Sequence, residues 1–209
     1  MDCERELLLK PKNLDIAHNE LVAQISMLDS AEEIEKKKRD FPQAQDLMES
    51  GELEKYEYDN GTYCIVAPRS IDDIYREGIV LKHCIHTCDI YFQRINIRET
   101  YLLFLRHSAE PDTPWYTVEI EPGGNIRQKK SVLNEAYKDL DDAMPFLQEW
   151  QQWVKKNLSE EDKKLAEKSD KARREGYKKL REQKKIVWHG SLQGTLLADA
   201  LESDFMEVI

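Results

Sequence analysis

Three short stretches in the middle of the chain have the composition of β-strands, and they constrain the fold more than any other feature. They run from Tyr101 to Arg106, from Trp115 to Glu121 and from Asn125 to Val132. Pro122-Gly123-Gly124 lies between the last two and is typical of a tight turn. The stretches therefore predict an antiparallel meander. Because side chains alternate along a strand, one face of the second strand carries Tyr116, Val118 and Ile120 and the other carries Trp115, Thr117, Glu119 and Glu121.

A β-hairpin is predicted upstream of the meander, between Lys55 and Ala67. Asn60-Gly61 lies at its centre, among aromatic and β-branched residues. This dipeptide is favoured in two-residue hairpin turns because both positions take positive φ. Hairpin and meander together predict an antiparallel sheet of about four to five strands.

Apolar residues at helical spacing flank the predicted strands, so the fold class is α+β with helices packed against the sheet. The stripe formed by Leu14, Ala17, Leu21, Ile25 and Leu28 predicts a core helix behind an Asn13 cap. Further helices are expected from Ser30 to the residue before Pro42, from Ile71 to Glu77 between Ser70 and Gly78, and from Asp142 to Val154 across the sheet.

A long charged helix is predicted near the C-terminus, from Glu160 to Lys185, with Ser159 as its cap. Its few apolar residues indicate a helix that is solvated, mobile or stabilised by a partner. The tail from Ile186 to Ile209 regains hydrophobicity and is expected to fold back. We therefore divide the chain into an α+β core with N-terminal helices, residues 1–157, and a charged helix with a tail, residues 158–209.

The composition indicates a cytoplasmic protein with one core. The chain has 209 residues, 34% of them charged, and no stretch of about 18 apolar residues that could span a membrane. Its four cysteines, Cys3, Cys64, Cys84 and Cys88, fit no disulfide framework. We expect free thiols, no bound cofactor and no membrane partner, and the sequence leaves the oligomeric state open.

Charge is unevenly distributed along the chain. The net charge is −10, but residues 155–185 contain 13 basic and 7 acidic residues. A basic arm on an acidic body could contact phosphate groups or could dock on its own body. The candidate nucleic-acid-binding residues are Lys171, Arg173, Arg174, Lys178 and Lys179.

Two histidines and two cysteines, His83, Cys84, His86 and Cys88, lie within six positions. Imidazole and thiolate are preferred zinc ligands, which makes these four residues candidate metal ligands, although the usual Cys-x-x-Cys pair is absent. Alternatively, Cys84 is a nucleophile with a histidine as its base. In a purely structural alternative, Cys84 is a small buried residue at a strand end and His83 forms a hydrogen bond in the core.

Arg106, Glu119 and Gln128 lie on three successive predicted strands. If they are cross-strand neighbours, they could orient a polar substrate, or they could form an ion pair that holds the register of the sheet. Together with His83 and Cys84 they are candidate catalytic residues.

A longer string of residues resembles the C-terminal region of the PcfJ-like protein family. The string begins Glu77-Gly78-x-x-Leu81-x-His83-Cys84-Ile85, continues through Tyr91 and the strand Tyr101–Arg106, and then includes Pro114, Thr117, Glu119, Gln128, Asn134 and Trp150. Because Tyr91 belongs to this string, the resemblance adds it to the candidate catalytic residues. Family members occur on conjugative plasmids, integrative elements and phages, so the resemblance implies a mobile-element setting. They usually have a longer N-terminal part, and a glycine between the positions of Gln128 and Asn134 where this chain has residues 129–133 without one.

Three functions are compatible with these observations. The first is an accessory binding or regulatory protein of a bacterial mobile element that acts on a protein or nucleic-acid partner. The second is a hydrolase or group-transfer enzyme centred on His83, Cys84 and Glu119. The third is an acidic inhibitor of a host nucleic-acid-binding defence protein, which the net charge alone suggests.

Overall fold

The computed structural model describes residues 14–188 and 192–208, with side chains from residue 21 onward. Within these ranges the chain forms eight α-helices and one five-stranded antiparallel sheet, which confirms the α+β class and the sheet size. The predicted Asn13 cap, Cys3, and the side chains of Leu14 and Ala17 lie outside the described part.

The helices are α1 (Leu14–Asp29), α2 (Ala31–Asp40), α3 (Pro42–Glu49), α4 (Ile71–Val80), α5 (Asp89–Asn96), α6 (Leu140–Asn157), α7 (Glu160–Glu182) and α8 (Leu197–Asp204). The strands are β1 (Tyr58–Asp59), β2 (Tyr63–Val66), β3 (Tyr101–His107), β4 (Tyr116–Ile120) and β5 (Ile126–Lys130). Short 3₁₀ helices span Glu52–Tyr56 and Val132–Asn134.

The strands lie in the sheet in the order in which they occur in the sequence, β1-β2-β3-β4-β5, and every pair is antiparallel. This confirms the meander and the hairpin around Asn60-Gly61, although only Gly61 of this pair takes the predicted positive φ. Asn60 Oδ1 accepts hydrogen bonds from the backbone N–H groups of Thr62 and Tyr63, each at 3.1 Å. Gly61 has φ 88°, a conformation that favours glycine.

One face of the sheet, here called the apolar face, packs against α6. Tyr116, Val118 and Ile120 are fully buried, as predicted from their alternation. The ring of Phe146 in α6 lies 5.8 Å from that of Tyr63 in β2. Trp150, which is also fully buried, donates its indole N–H to the Tyr56 carbonyl at 2.8 Å. The helix therefore lies across the sheet as expected.

The predicted core role of the α1 stripe is wrong for its described members. Leu21, Ile25 and Leu28 are 55%, 52% and 76% exposed, whereas Ala23 is buried. Periodicity shows that a helix has an apolar face, but only the position of neighbouring helices decides whether that face is covered.

The segment that follows α4 also differs from expectation. The helix continues through Gly78 to Val80, and residues 81–88 form turns instead of a strand. Cys84 therefore lies in a turn and not at a strand end, and it is half-buried. Trp115 precedes β4 and stacks on Tyr63 at 5.5 Å, so it lies on the apolar side and does not share a face with Glu119.

The charged helix α7 is fixed to the edge of the sheet by buried ion pairs. Arg173 in α7 and Arg127 in β5 donate their Nε–H groups to Glu121 Oε1 at 2.8 and 2.9 Å. The tail folds back as expected, because Ile126 and Met206 exchange backbone hydrogen bonds of 2.9 and 2.8 Å along the outer side of β5. No helix in the described ranges is long and apolar enough to cross a bilayer.

Candidate functional site

The face of the sheet opposite α6, here called the polar face, brings several candidate residues together. Phe104 pairs with Thr117, Leu102 with Glu119, and Glu119 with Gln128. Because side chains alternate along each strand, Arg106, Thr117, Glu119 and Gln128 share this face. The predicted cross-strand pairing is therefore confirmed for Glu119 and Gln128, whereas Arg106 lies four residues along β3 from Leu102, the residue opposite Glu119.

His83 reaches the polar face from the turn that ends α4. Lys82 has φ 52°, the His83 N–H bonds the Gly78 carbonyl at 3.1 Å, and the Lys82 N–H bonds the Ile79 carbonyl at 3.3 Å. A left-handed residue after the helix, with two backbone hydrogen bonds from the following residues to carbonyls of the last turn, is the Schellman motif. It ends the helix and directs the following imidazole inward, where His83 is buried.

His83 and Arg106 belong to one buried hydrogen-bonded network, in which Glu77 is the central residue. Arg106 Nη1 donates to Glu77 Oε1 at 3.1 Å, and Arg106 Nη2 donates to Glu77 Oε2. The Thr117 hydroxyl donates to Glu77 Oε1 at 3.1 Å and lies 3.1 Å from His83 Nε2. If the hydroxyl proton goes to the carboxylate, the threonine oxygen accepts from Nε2–H, so this arrangement assigns the imidazole proton to Nε2.

Burial controls the protonation of this network. It raises the pKa of Glu77, while Arg106 and Thr117 act in the opposite direction by stabilising the carboxylate. Burial also lowers the pKa of His83 to about 4, so the imidazole is neutral at pH 7. His83 Nδ1 is buried without a hydrogen-bond partner in the described structure. In this network the neutral imidazole of His83 is therefore linked to the Glu77–Arg106 pair through the Thr117 hydroxyl.

Glu119 is the centre of a second network on the same face. Its carboxylate accepts hydrogen bonds from Arg94 Nη1, the Thr100 hydroxyl and Gln128 Nε2, each at 2.9 Å. Burial, followed by the negative charge of Glu119, raises the pKa of Tyr91. Four of the predicted site residues thus fall into two separate networks, His83 and Arg106 around Glu77, and Gln128 with Glu119.

Cys84 lies in the turn beside these networks and is half-buried. Its Sγ lies 3.9 Å from Asn134 Oδ1. Burial, and then the neighbouring Cys88, raise the pKa of the Cys84 thiol. A nucleophilic cysteine requires a lowered pKa, so this environment favours an unreactive protonated thiol.

The four candidate metal ligands have other environments. His86 packs so closely against Gly78 that a Cβ atom on this glycine would lie 2.1 Å from His86 Nδ1. The His86 ring lies 5.4 Å from the Tyr75 ring. No group of three or more His, Cys, Asp or Glu residues suited to a metal ion occurs in the described part of the chain.

Sequence reasoning missed Glu77, Arg94 and Thr100 as members of these networks. Glu77 could have been found, since it follows Ile74 by three residues on the buried stripe of α4. Glu77 and Arg106 also line a cavity of about 210 Å³ between α4 and the β3–β4 loop.

Leu133 has φ 59°, so a left-handed residue occurs within the segment where family members carry a glycine.

The candidate nucleic-acid-binding residues differ in accessibility. Arg173 is buried and pairs with Glu121 and Asp170. Arg174 is exposed and pairs with Asp170 at 2.7 Å. Lys171, Lys178 and Lys179 are exposed, and none of their side chains has a partner among the described residues.

A separate surface is formed by the exposed residues of α1. Val22, 46% exposed, adds to the stripe of Leu21, Ile25 and Leu28, and this set of four is here called the α1 face. Beside it is a groove of about 520 Å³, whose lining residues are Ala23, Gln24, Met27, Leu28, Ala31, Ile34, Glu35, Asp72 and Arg76. Exposed apolar surface of this kind marks interaction sites in soluble proteins.

Comparison with known proteins gives two matches. A family model described as PcfJ-like protein matches residues 2–144, from the N-terminus into α6. An uncharacterized protein of Listeria innocua serovar 6a is 28% identical over 141 residues, which cover 67% of this chain and 29% of that protein. The chain thus spans less than a third of that relative's length. No solved structure matches the chain.

Proposed function

The chain belongs to the PcfJ-like protein family, and we propose that it is a non-catalytic accessory binding protein of a bacterial mobile element that acts on a protein partner. The mobile-element setting follows from the family resemblance. The binding role rests on one observation, the exposure of the α1 face next to an apolar groove.

The exposed side chains of the α1 face have the spacing of a helix–helix interface. Leu21, Ile25 and Leu28 follow one another at intervals of four and three residues. Burying one such side chain contributes about 1.5–3 kcal/mol, so leaving three of them exposed sacrifices a substantial stabilisation. A partner helix that binds in the groove would bury these side chains and so recover this stabilisation, as in other helix-in-groove complexes.

The charges near the groove specify the partner further. Asp29 and Glu32 are exposed, and neither side chain has an ion-pair partner in the described structure. Lys38 compensates Glu35 and Asp72, with ion-pair distances of 3.0 and 2.8 Å. The partner that fits is therefore an amphipathic helix with basic residues beside its apolar stripe, because its cations would meet the uncompensated carboxylates.

The other two functions have less support. For an enzyme, Glu77 and Glu119 already accept hydrogen bonds from protein donors, and the raised pKa of Cys84 disfavours a thiolate. Acidic mimicry of a nucleic acid rests on net charge alone.

Two designed peptides test the proposal. Both are 18-residue amphipathic helices with the same leucine stripe, flanked by lysines in one and by glutamates in the other. We expect fluorescence anisotropy to show binding of the lysine peptide, and at least a tenfold loss of affinity for the Leu21→Gln/Ile25→Gln double variant.

The matched control is Val132→Gln/Leu133→Gln, which makes the same change at an exposed apolar pair elsewhere. This variant is expected to bind the lysine peptide as the wild type does. Equal affinity of the wild type for the two peptides would contradict docking at the α1 face. An equal loss of affinity for the lysine peptide in the two double variants would also contradict it.

A further inference from the structure

The loop between α7 and α8 is held at its base and presents an indole to solvent. Its base is closed by the Ile186–Leu196 bridge, and the Val187 N–H bonds the Thr195 carbonyl at 2.9 Å. Residues 186–188 and 192–196 of this loop are described, and the loop is here called the Trp188 loop. Trp188 therefore follows directly on an anchored base.

Trp188 is 71% exposed, in contrast to the fully buried Trp150. No ring contact or hydrogen bond of its side chain occurs within the described structure. Tryptophan has the largest apolar surface of any side chain, and it normally packs against another group. An indole in this position is available to stack on a flat partner.

The segment from Lys178 to Lys185 places a local excess of cations beside this indole. It contains five basic residues and one acidic residue, Glu182. Arg181 is paired with Asp199 and Glu202 of α8. The four lysines of the segment, Lys178, Lys179, Lys184 and Lys185, are all exposed, and their side chains have no partner in the described part of the chain.

Lys184 and Lys185 are close to the indole because the chain that connects them to Trp188 is short. Trp188 follows Lys185 by three residues, so their Cα atoms lie within about 11 Å. An aromatic platform beside a line of uncompensated cations is the combination that binds single-stranded nucleic acids, in which bases stack and phosphates meet the cations.

We propose that Trp188 and the segment from Lys178 to Lys185 form a binding surface for single-stranded nucleic acid. Trp188 stacks on a base, and the four lysines contact the adjacent phosphates. We favour a nucleic-acid strand over an anionic bilayer because stacking on the indole requires a flat base, which a lipid headgroup does not supply. This surface lies on different elements from the α1 face, so the two proposals are independent.

The first experiment is a titration of the 209-residue chain with a fluorescently labelled 15-residue oligothymidylate at low salt. We expect quenching of tryptophan fluorescence and a rise in oligonucleotide anisotropy. Trp188→Ala is expected to weaken binding by roughly 5- to 150-fold. Trp188→Phe is expected to retain much of the affinity, because phenylalanine also stacks, but to lose most of the quenching.

The second experiment measures the salt dependence of binding. Lys184→Ala/Lys185→Ala is expected to reduce the slope of log affinity against log salt by about 1.4, since each phosphate contact contributes about 0.7 for a single strand. The matched control is Lys36→Ala/Arg39→Ala, which removes two exposed cations from α2 and should leave the slope unchanged.

Four results would overturn the proposal. They are no binding of the oligonucleotide at low salt, equal affinity of Trp188→Ala and wild type, equal or tighter binding of a 15-base-pair duplex, and equal slopes for the two double variants. Binding to vesicles of phosphatidylcholine with one third phosphatidylglycerol, in the absence of oligonucleotide binding, would assign the surface to a membrane instead.

Discussion

Glu77 of α4 and Arg106 of β3 form a two-point ion pair between a helix and the polar face of the sheet. Both side chains are buried, and each carboxylate oxygen accepts a hydrogen bond from one guanidinium nitrogen. The pair orients α4, and the Schellman turn that ends α4 delivers His83 to Thr117. The polar residues of this network therefore fix the position of a helix relative to the sheet.

Breaking this pair on one side should strongly destabilise the fold. Arg106→Ala leaves the Glu77 carboxylate buried without its cation, and we expect a loss of about 3–5 kcal/mol in the free energy of unfolding. Replacing both residues, as Glu77→Leu/Arg106→Met, should cost less than the sum of the single changes. Urea denaturation measures all three. Arg69→Ala, which removes two partly exposed ion pairs with Glu54 and Glu57, is the control and should cost less than about 1 kcal/mol.

His83 should make stability depend on pH between about 6.5 and 4. The folded protein holds the imidazole neutral down to about pH 4, whereas the unfolded chain takes up a proton near pH 6.5. Protonation therefore favours the unfolded chain as pH falls through this window. Above about pH 6.5 the imidazole is neutral in both states, so its protonation does not lower the free energy of unfolding. By pH 4 the free energy of unfolding has fallen by about 3 kcal/mol through this group.

The measurement compares wild type with His83→Gln, which can still hydrogen-bond Thr117 but cannot titrate. The difference in unfolding free energy between the two proteins should change over this pH range and level off below it. A constant difference from pH 7.5 to pH 4 would show that His83 is not held neutral by burial.

Two glycine-to-alanine changes should have opposite effects. A Cβ at Gly78 would lie 2.1 Å from His86 Nδ1, so Gly78→Ala must displace the His86 ring and is expected to cost more than about 1 kcal/mol. At Gly176 in α7 a Cβ meets nothing within 4 Å. Gly176→Ala should therefore stabilise the protein by about 0.5–1 kcal/mol through helix propensity. Thermal unfolding followed by circular dichroism distinguishes the two signs.

Adjacent arginines of α7 should differ in their effect on stability. Arg173 donates to Glu121 at 2.8 Å and its guanidinium lies 3.8 Å from the Phe205 ring centroid, so Arg173→Ala should cost about 3 kcal/mol or more. Arg174→Ala removes only an exposed pair with Asp170 and should cost far less than Arg173→Ala, because solvent screens such a pair. Similar losses for the two variants in urea denaturation would show that α7 does not depend on the Glu121 contact.

The sequence determined the local features of this protein. Strand alternation correctly placed Tyr116, Val118 and Ile120 in the core, and Asn60-Gly61 located the hairpin, because turn and strand preferences act over a few residues. The capping boxes at Ser70 and Ser159 are present for the same reason. The family resemblance was also readable from the motif around His83.

Only the tertiary structure decided which surfaces are covered and which polar groups meet. It exposed the α1 face, because no described element packs over Leu21, Ile25 and Leu28. It joined Arg106 to Glu77 and separated both from Glu119, since helix ends and sheet positions bring together residues far apart in the sequence. It also placed Arg173 in the interior and left the neighbouring lysines in solvent. Arg173 is buried because its guanidinium donates to Glu121 on the sheet, a contact that the charge of the helix alone does not predict.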